Sequence, residues 1–514
     1  NMATRAASLL RSWRSRAGLA SAAAFTSTAI AWSEAAPDTI SDVEFVERPK
    51  EKWVEARTRA VTDSFIDWNA VDISFVDALR TLRSAYSFPL ASMQELKAHF
   101  LSEAKAGLAG APSSMRMLPT YVTSRVTGSE TGDFYALDLG GTNFRVLRLT
   151  LEGDGKVGPV TQGKYQVPLE IKQGTGDDLF GFLADSVATF LATKCGGNPQ
   201  GVMGFTFSFP TVQDAINRGR LIVWNKEFNA SNVVGNDVVV LLQKQLHKRG
   251  INLEVRALAN DTVGTMEAAA YCNNDTAMGV IFGTGTNAAY IERTANIGKW
   301  DGPPSEEMVI NTEWGNLDMG NMMNLYDAAI DAASQNPGCQ RFEKMISGMY
   351  LGEMCRVTLT SPEVLHGFSS TFAASLTSKL TERMSLPTAL MAEIEGDASS
   401  SMDATGRALE KAGLVGATPR DRALLHEVCV NISTRAAMLS ATAVVALLEQ
   451  MGNADGCTIA IDGTVFECYP YFKERMEFGI EQLMGAQRAH TIKLVLAKDG
   501  SGVGAAIIAA IAKP

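Results

Sequence analysis

The sequence lacks the cysteine and histidine patterns that mark structural metal sites and disulfide frameworks. Its seven cysteines are scattered between Cys195 and Cys468 without a C-x-x-C pair, and its five histidines form no cluster. Neither a zinc-binding domain nor a disulfide-stapled secreted domain is therefore expected. The default environment for such a chain is a reducing compartment.

The chain also lacks an excess of positive charge. The formal net charge is −10 at pH 7, which argues against a nucleic-acid-binding protein and favours small-molecule substrates. With 514 residues the chain is longer than one hydrophobic core usually organises. Two lobes are therefore expected, each large enough to bury its own core.

The common nucleotide-binding signatures are missing as well. There is no G-x-x-x-x-G-K-[ST] sequence and no protein-kinase H-R-D or D-F-G set. Residues 283–288 (Gly-Thr-Gly-Thr-Asn-Ala) fit the loose G-x-G-x-x-A form of a dinucleotide fingerprint. However, the strand-like run 288–292 follows where that fingerprint needs a helix. A phosphotransferase with this sequence must use another architecture.

What the sequence does have is a strand-like run followed by a polar glycine turn, Leu-Asp-Leu-Gly-Gly-Thr-Asn-Phe-Arg at residues 137–145. Two glycines let the backbone turn sharply and let its N–H groups approach an anion. Asp138 can hold magnesium or its waters, and Arg145 can neutralise charge on a transferring phosphoryl group. The alternative is an ordinary hairpin turn. From this run alone both interpretations stay open.

Beyond residue 49, strands and helices alternate almost to the C-terminus, which indicates an α/β protein. The strand-like runs are 134–139, 146–151, 202–207, 254–259, 278–282, 288–292, 458–461 and 492–496, and the helix-like runs are 52–65, 74–108, 179–194, 238–248, 262–271, 342–359, 420–449 and 502–512. A strand, a glycine turn and a second strand occur twice, at 140–143 and at 283–287. This echo predicts two similar lobes, each giving one phosphate-facing hairpin to a shared cleft.

An acidic residue, Asp261, stands where the run 254–259 ends and the helix-like run 262–271 begins. Aspartate is a favoured N-cap, so the residue can have a purely structural role. A carboxylate at this junction can also take the proton of a substrate hydroxyl as that hydroxyl attacks a phosphoryl group. The two roles are compatible.

The first fifty residues differ in composition from the rest of the chain. Residues 2–32 contain four arginines and no acidic residue, which is typical of an organelle-targeting presequence. The uncharged stretch 17–33 is short for a membrane span and contains several Ser and Thr residues. We expect a cytoplasmic or mitochondrion-associated protein that is not secreted, with membrane or organelle contact through residues 2–34. A cleaved presequence, an anchor and a disordered tail all remain open.

From residue 53 to the C-terminus the sequence resembles the hexokinases, ATP-dependent hexose kinases of the actin-like ATPase superfamily. The resemblance rests on many motifs in the family's order, not on one. After the first glycine turn come 204–210 (Gly-Phe-Thr-Phe-Ser-Phe-Pro), 224–226 (Trp-Asn-Lys), 260–265 (Asn-Asp-Thr-Val-Gly-Thr), 283–287 (Gly-Thr-Gly-Thr-Asn), 311–315 (Asn-Thr-Glu-Trp-Gly), 342–353 (Phe-Glu-Lys-Met-Ile-Ser-Gly-Met-Tyr-Leu-Gly-Glu), 433–437 (Ser-Thr-Arg-Ala-Ala), 461–464 (Ile-Asp-Gly-Thr) and 499–502 (Asp-Gly-Ser-Gly).

The resemblance implies a hexose site and a catalytic base. The residues that match the family's sugar-binding positions are Ser208, Phe209, Asn225, Lys226, Asn260, Asp261, Asn287, Glu313, Gln340 and Glu343. Carboxylates and amides suit a polyol because they form paired hydrogen bonds with hydroxyls. Asp261 matches the base that accepts the proton of the sugar's 6-hydroxyl, while Lys226 and Arg145 would stabilise developing charge. Many members have Thr at position 225, so the hexose preference can differ.

The resemblance also implies an ATP site and magnesium. The phosphate-side residues are Asp138, Leu139, Gly140, Gly141, Thr142, Asn143 and Thr284, and the remaining nucleotide-side residues are Gly348, Met349, Thr464, Val465, Phe466, Glu467 and Cys468. Thr388 is a poorer match. Mg²⁺ would bridge the β- and γ-phosphates, with Asp138 as its protein ligand directly or through water.

The implied architecture is an α/β fold of two unequal lobes of actin-like ATPase (ribonuclease H-like) type around a central cleft. Its expected divisions are residues 1–50 as a targeting or anchor extension, 51–119 as the helical part of the large lobe, 120–258 as the small lobe, 259–499 as the large lobe and 500–514 as a C-terminal helix that rejoins the small lobe. The alternatives are a catalytically weak relative that serves as a sensor or membrane-complex subunit, and a more distant sugar or acetate kinase.

Overall fold

The computed structural model describes residues 72–140, 143–224, 227–399, 401–452 and 455–512, together with the backbone of two short strands near the N-terminus. The strands are β1 Thr39–Ile40, β2 Phe45–Val46, β3 Leu118–Pro119, β4 Thr131–Leu139, β5 Asn143–Gly153, β6 Lys156–Val157, β7 Val160–Gln166, β8 Gly201–Phe207, β9 Thr211–Ala215, β10 Arg218–Leu221, β11 Leu253–Ala259, β12 Thr276–Phe282, β13 Thr286–Arg293, β14 Glu307–Asn311, β15 Thr458–Asp462 and β16 Lys493–Ala497.

The helices follow the same chain order. They are α1 Ile73–Tyr86, α2 Leu90–Ala109, α3 Leu169–Lys172, α4 Gly176–Lys194, α5 Val238–Lys248, α6 Asp261–Cys272, α7 Leu325–Ala333, α8 Arg341–Ile346, α9 Gly348–Leu359, α10 Pro362–Leu365, α11 Ser370–Lys379, α12 Thr388–Glu395, α13 Asp403–Lys411, α14 Pro419–Gln450, α15 Thr464–Cys468, α16 Phe472–Met484, α17 Ala486–Ala489 and α18 Gly500–Ile511. Short 3-10 turns occur at Thr294–Asn296, Trp314–Asn316 and Gly320–Met322.

Two mixed sheets have the same central topology. The first has the strand order β1-β7-β5-β4-β8-β11, with β6 beside β5, and the second has the order β2-β16-β15-β12-β13-β14-β3. In the first sheet, β7, β5 and β4 are antiparallel, whereas β4, β8 and β11 are parallel. In the second, β14, β13 and β12 are antiparallel, whereas β12, β15 and β16 are parallel. The repeat of strand, glycine turn and strand in the sequence therefore corresponds to two sheets with the same order of antiparallel and parallel strands. The predicted similarity is confirmed for the strand order.

Helices pack against each sheet, and their apolar side chains form the core together with those of the strands. The core of the first sheet joins strand residues such as Phe205 to apolar positions of α4 and α5, including Leu183 and Leu242. Helix α4 begins with a capping box in which Thr175 and Asp178 each accept from the other's backbone N–H. The core of the second sheet includes α1, α2 and α14. Each sheet thus has a large core cluster of its own, and smaller clusters in the described residues join α18 and α6 to the strands.

Helices α6 and α18 cross in the region between the two sheets, and glycines make this crossing possible. A Cβ at Gly504 would lie 1.8 Å from the carbonyl oxygen of Gly264, and one at Gly204 on β8 would lie 1.9 Å from the carbonyl oxygen of Ala505. No side chain fits at these separations. The C-terminal helix thus packs directly on the backbone of β8 and of α6.

Two long helix-like runs of the sequence are each broken in the structure. The run 74–108 is not one helix, because it stops at Tyr86 and resumes at Leu90 after Pro89, which lacks the N–H that a continuous helix needs. The run 342–359 is interrupted at Ser347, whose backbone is extended with ψ 153°. The predicted helix 52–65 lies outside the described residues.

The longest described helix, α14, is a core helix. Thr418 caps it through a capping box with Asp421, and Pro419 occupies its first position, where a missing N–H costs little. Among the described residues it alone is long and apolar enough to cross a membrane, but 83% of its most apolar window is buried inside the fold. Helices that are apolar on all sides occur in the centre of large soluble cores as well as in membranes.

Candidate active site

The first glycine turn connects two antiparallel strands. Leu139 at the end of β4 pairs with Phe144 on β5, so the two strands that flank the turn are antiparallel neighbours. This pairing agrees with the hairpin that the sequence allowed, and the phosphate-binding role of the turn stays a prediction. Gly141, Thr142 and the side chain of Asn143 lie outside the described residues.

A cluster of charged and polar side chains surrounds the end of β4. The guanidinium of Arg145 donates to Oδ2 of Asp138 from Nη2 (2.6 Å) and Nε (3.2 Å), and it also pairs with Asp499. Ser501, near the start of α18, donates from Oγ to the same Asp138 oxygen at 2.9 Å. Arg145 therefore contacts carboxylates of the protein in this structure, and its predicted role toward a phosphoryl group stays a prediction.

Burial and charge act in opposite directions on the groups of this cluster. Burial lowers the pKa of the Arg145 guanidinium, but the charges of Asp138 and Asp499 outweigh this effect and the pKa is raised overall. Burial raises the pKa of Asp462, at the end of β15, to about 7, against the opposing charge of Arg145. One guanidinium thus pairs with two carboxylates and acts electrostatically on a third. Sequence reasoning had placed Asp462, Asp499 and Ser501 in family motifs but had given them no role.

Asp138 has the chemistry of a magnesium ligand. It is buried, with 6% of its surface exposed, and its bonds to described side chains all reach Oδ2. Oδ1 is therefore the oxygen that a hydrated cation would meet, and one carboxylate plus waters and phosphates is the usual environment of Mg²⁺. Among the described residues no group of three or more His, Cys, Asp or Glu side chains forms a denser metal site.

The second glycine turn joins β12 to β13 and contacts the start of α9. The backbone N–H of Gly348 donates to the carbonyl oxygen of Gly283 (2.8 Å), and that of Met349 donates to Thr284 (3.2 Å). A Cβ at Gly348 would lie 2.9 Å from the same carbonyl oxygen, so glycine permits the close approach. Thr388 donates to the carbonyl oxygen of Gly348 at 2.5 Å, which gives its hydroxyl a structural partner.

The predicted adenosine-side segment forms the short helix α15. Val465 and Phe466 are buried in the core of the second sheet, so their side chains serve packing. Thr464 is exposed, while Glu467 is only partly exposed and pairs with Lys498 (2.9 Å). Cys468 is partly exposed as well. A nucleotide at this helix would meet its backbone and the side chains of Thr464, Glu467 and Cys468.

The start of α6 carries two of the predicted sugar residues. Asn260, not Asp261, is the N-cap, because its Oδ1 accepts from the backbone N–H (3.0 Å) and hydroxyl (2.7 Å) of Thr262. Asp261 is the first helical residue, and its Oδ1 accepts from the same N–H at 2.9 Å. The capping role that the sequence allowed for Asp261 thus falls mainly to its neighbour. A carboxylate at this position is stabilised by the helix dipole.

An uninterrupted series of hydrogen bonds joins residues of three elements beside α6. Asn287 on β13 donates from Nδ2 to Oδ1 of Asn260 (3.3 Å) and to Oδ1 of Asn311 (2.8 Å). Asn311, the last residue of β14, donates from Nδ2 to Oε1 of Glu313 at 2.9 Å. Asn311, to which sequence reasoning had given no role, thereby joins the predicted sugar residues Asn287 and Glu313, and Asn287 adds the third, Asn260.

Glu343 and Gln340 are held close to the second glycine turn and its neighbouring loop. The N–H of Thr286 donates to Oε2 of Glu343 at 2.9 Å, and a Cβ at Gly285 would lie 2.6 Å from that oxygen. Asn336 donates to Oε1 of Gln340 at 2.6 Å. The turn predicted to hold phosphate therefore also positions a carboxylate predicted to hold sugar.

Ser208 and Phe209 follow β8 next to the first turn. The backbone N–H of Ser208 donates to the carbonyl oxygen of Leu139 at 3.1 Å. Phe209 is 2% exposed and packs its ring against Phe207, Trp224 and Phe228. The aromatic ring of Phe209 thus has mainly a packing role. Asn225 and Lys226, the remaining predicted sugar residues of this lobe, lie outside the described residues.

A small pocket that is open to solvent lies where the two sheets meet. Its lining includes Asn260, Asn311 and Phe209, with Gln213 from β9 and Thr120 just after β3. Residues from both sheets therefore contribute to one space beside the proposed base. A pocket that combines apolar walls with a few amide groups can orient a small polar ligand.

The amides and carboxylates that surround Asp261 between two glycine turns fit a sugar kinase, and the comparisons with known proteins agree on that class. Hexokinase family models match residues 78–271 and 277–511 of the chain. Hexokinase-1 of Spinacia oleracea is 40% identical over 450 residues, covering 84% of this chain and 90% of that protein. Hexokinase-2 of Saccharomyces cerevisiae is 38% identical over 454 residues, covering 85% of this chain and 92% of that protein.

Solved structures agree with the sequence comparisons. The structure of a hexokinase from Schistosoma mansoni complexed with glucose has a TM-score of 0.76 and is 34% identical in sequence. The match covers 85% of this chain and 99% of the Schistosoma mansoni chain. The chain belongs to the hexokinase family. The predicted mixed α/β fold of actin-like ATPase type is thereby confirmed.

Proposed function

We propose that this protein transfers the γ-phosphoryl group of ATP to the 6-hydroxyl of glucose and related hexoses, giving a hexose 6-phosphate and ADP. The observation that carries the proposal is the joined set of polar side chains beside Asp261. Asn260, Asn287 and Glu313 are linked by hydrogen bonds, and Glu343 is attached to the second glycine turn. The related enzyme from Schistosoma mansoni was solved with glucose, which supports a hexose as the substrate.

The hexose would be recognised through its hydroxyl groups. A ring of amides and carboxylates offers both donors and acceptors, and a ligand without hydroxyls would leave these groups unpaired at a high cost. The bonds of Asn260 to described side chains and backbone groups reach its Oδ1, so its Nδ2 would serve as a donor to the sugar. Glu313 and Glu343 would accept hydrogen bonds from sugar hydroxyls.

Asp261 would act as the general base. As the 6-oxygen of the sugar bonds to the γ-phosphorus, the bond from that phosphorus to the β-phosphate oxygen breaks, and the hydroxyl proton passes to the Asp261 carboxylate. The backbone N–H of Thr262 donates to this carboxylate at 2.9 Å and fixes its orientation. The bridging oxygen leaves as part of ADP. The reaction therefore needs no reactant other than the hexose and ATP.

The nucleotide would lie against the two glycine turns, with its adenosine toward α15. Mg²⁺, when bound with the nucleotide, would supply charge neutralisation to the β- and γ-phosphates. Asp138 would hold the hydrated ion through Oδ1, because Arg145 and Ser501 already occupy Oδ2. The backbone N–H groups of the turns would contact phosphate oxygens.

A coupled assay of ATP-dependent glucose phosphorylation tests the proposal, with Asp261→Asn as the key variant. The variant should lose about 10²–10⁴-fold in kcat, the usual contribution of a general base, while the KM for glucose changes far less. Asp133→Asn, the same change at an exposed site on β4, is the matched control. A wild-type protein without hexose kinase activity would contradict the function, and an Asp261→Asn variant as active as wild type would contradict the assignment of the base.

We also propose that residues 2–34 direct the protein to mitochondria. The support is compositional, since residues 2–32 combine four arginines with no acidic residue. A fluorescent fusion of the full chain should colocalise with a mitochondrial marker, and a fusion lacking residues 2–34 should become diffuse. Identical distributions of the two fusions would rule out this role.

A further inference from the structure

Asn311 is a buried amide between two of the proposed hexose-binding residues. We propose that it is a positioning residue for hexose binding, which fixes Glu313 directly, and Asn260 through Asn287, in the orientations that the sugar requires. The inference rests on the proposed function, because it assumes that Glu313 and Asn260 face a hexose. It concerns a residue that neither the family resemblance nor the sequence pattern had assigned to the site.

The backbone of Asn311 is rigidly placed. It ends β14 and is paired with Ala289 on β13 and with Leu118 on β3, so it lies inside a sheet with strands on both sides. Only 5% of the residue is exposed, and it lines the cavity beside Asn260. A side chain on such a strand is held more firmly than one on a loop, which suits a group that must orient others.

The side chain of Asn311 has both of its functional atoms engaged with binding residues. Its Oδ1 accepts from Nδ2 of Asn287 (2.8 Å) and from the backbone N–H of Glu313 (3.3 Å). Its Nδ2 donates to Oε1 of Glu313 at 2.9 Å. One amide thus contacts both the backbone and the carboxylate of Glu313, because a carboxamide carries a donor and an acceptor side by side.

Glu313 needs such support because its backbone is strained. Its φ of 52° and ψ of 40° lie in the left-handed region, which is unfavourable for a residue with a Cβ atom. The bond from the Glu313 N–H to Asn311 spans this turn, and the bond to Oε1 holds the side chain that projects from it. Without Asn311 we expect the turn to relax and the carboxylate to leave its position.

The hydrogen bonds between these amides also have fixed directions from donor to acceptor. Asn287 donates in both directions, to Asn260 and to Asn311, while its own Oδ1 accepts from the N–H of Ala288 (2.8 Å) and the hydroxyl of Thr312 (3.3 Å). Its two donors and its carbonyl oxygen are therefore engaged within the protein. Asn287 then orients Asn260, whose Nδ2 donor is left for the sugar. Asn311 acts at one end of this series and Asn260 at the other.

Asn311→Asp tests the proposal with almost no change in side-chain shape. The new carboxylate oxygen would replace the Nδ2 donor opposite Oε1 of Glu313, so two acceptors would meet where a hydrogen bond had been. The KM for glucose should rise about 10-fold or more, because groups that must pair with hydroxyls are displaced. The KM for ATP should stay within about 2-fold of the wild-type value, since no nucleotide contact changes.

A double-mutant cycle separates positioning from general damage. In a Glu313→Gln background the side-chain amide introduced at position 313 can donate to the carboxylate introduced at position 311, which restores the bond with its direction reversed. Asn311→Asp should therefore change the dissociation constant for glucose by no more than about 3-fold in that background, against about 10-fold or more in the wild type. Glucose binding is measured by calorimetry, so variants with low turnover still give a result. Asn273→Asp, at a residue whose Nδ2 donates to Thr458, is the matched control.

Three results would contradict a positioning role for Asn311. Equal effects of Asn311→Asp in the two backgrounds, parallel rises in the KM for glucose and for ATP, or a variant indistinguishable from wild type would each overturn the proposal. If Asn311→Asp does not fold, Asn311→Ser, in which one hydroxyl replaces the carboxamide, takes its place in the same cycle, and additive effects would again refute the role. A wild-type protein that phosphorylates no hexose would refute the proposed function instead, so the two failures are distinguishable.

Discussion

Glu267, a buried carboxylate on α6, should make the protein less stable as the pH rises, and Glu267→Gln should remove this effect. The residue is 3% exposed, and among the described residues its Oε2 has no hydrogen-bond partner. Burial raises the pKa of Glu267 from 4.5 to about 8, with the positive charge of Arg125 opposing and the negative charges of Glu130 and Glu307 adding to the rise. Arg125 is itself paired with Glu307.

The sign of the effect follows from proton binding. Between the unfolded pKa of 4.5 and the folded pKa of about 8, the folded protein keeps a proton that the unfolded chain releases. The contribution of Glu267 to stability is thus fully present below pH 4.5 and is lost as the pH rises through about 8. A shift of this size corresponds to about 5 kcal/mol in total, of which about 4 kcal/mol falls between pH 5 and pH 9.

The measurement is a series of urea unfolding curves for wild type and Glu267→Gln from pH 5 to pH 9. Circular dichroism and fluorescence are followed together, because coincident transitions are needed to derive one free energy of unfolding. The free energy of unfolding of the variant minus that of the wild type should increase by about 4 kcal/mol across this range. Gln is neutral throughout and nearly the same shape as protonated Glu, so the difference isolates the one ionisation.

A difference between the two proteins that stays constant with pH would refute the reasoning. It would mean that Glu267 finds a charged partner or water when it ionises, and that burial does not penalise its charge. The control is Glu393→Gln at an exposed position of α12, which tests whether removal of one carboxylate by itself alters the pH dependence.

Three further predictions test the packing and the phosphate site. Arg435→Met should reduce the free energy of unfolding by about 3–5 kcal/mol, because it leaves the buried Asp327 carboxylate, 2.6 Å away, without its charge partner, and adding Asp327→Leu should recover most of the loss. Gly504→Ala should cost about 1–3 kcal/mol in the same unfolding assay, since its Cβ would overlap the carbonyl oxygen of Gly264. Ser501→Ala should lower kcat/KM for ATP about 10-fold by removing a hydrogen bond to the carboxylate at the end of β4, and an unchanged value would contradict that role.

Local sequence patterns predicted the elements that carry the site. Runs of apolar residues identified β4, β8, β11, β12 and β15, and the glycine turns between them were located from composition and from the family's motifs. These signals are short in range, because a strand or a turn depends on residues only a few positions apart. The helix breaks at Pro89 and Ser347 were missed, since helical periodicity continues across each of them.

The partners of the site residues could not be predicted in the same way. Ser501 meets Asp138 across 363 positions of the chain, and Asn287 meets Asn311 across 24. Such contacts depend on how α18 crosses α6 and on how β14 pairs with β13, which no local pattern encodes. Asn311 is the first residue of the motif 311–315, but the motif does not show which side chains Asn311 contacts. Its importance is visible only through the side chains that it joins.

The second glycine turn connects the two halves of the site. Thr284 is proposed to contact phosphate, the N–H of Thr286 holds Glu343, and Asn287 starts the amide series toward Asn260 and Glu313. These three positions lie within four consecutive residues at the β12–β13 hairpin. A displacement of this turn by one substrate must therefore move groups that bind the other. Because coupling between two ligands is reciprocal in free energy, any factor by which hexose changes the affinity for nucleotide should equal the factor by which nucleotide changes the affinity for hexose, and calorimetric titrations of each ligand with and without the other would measure both factors.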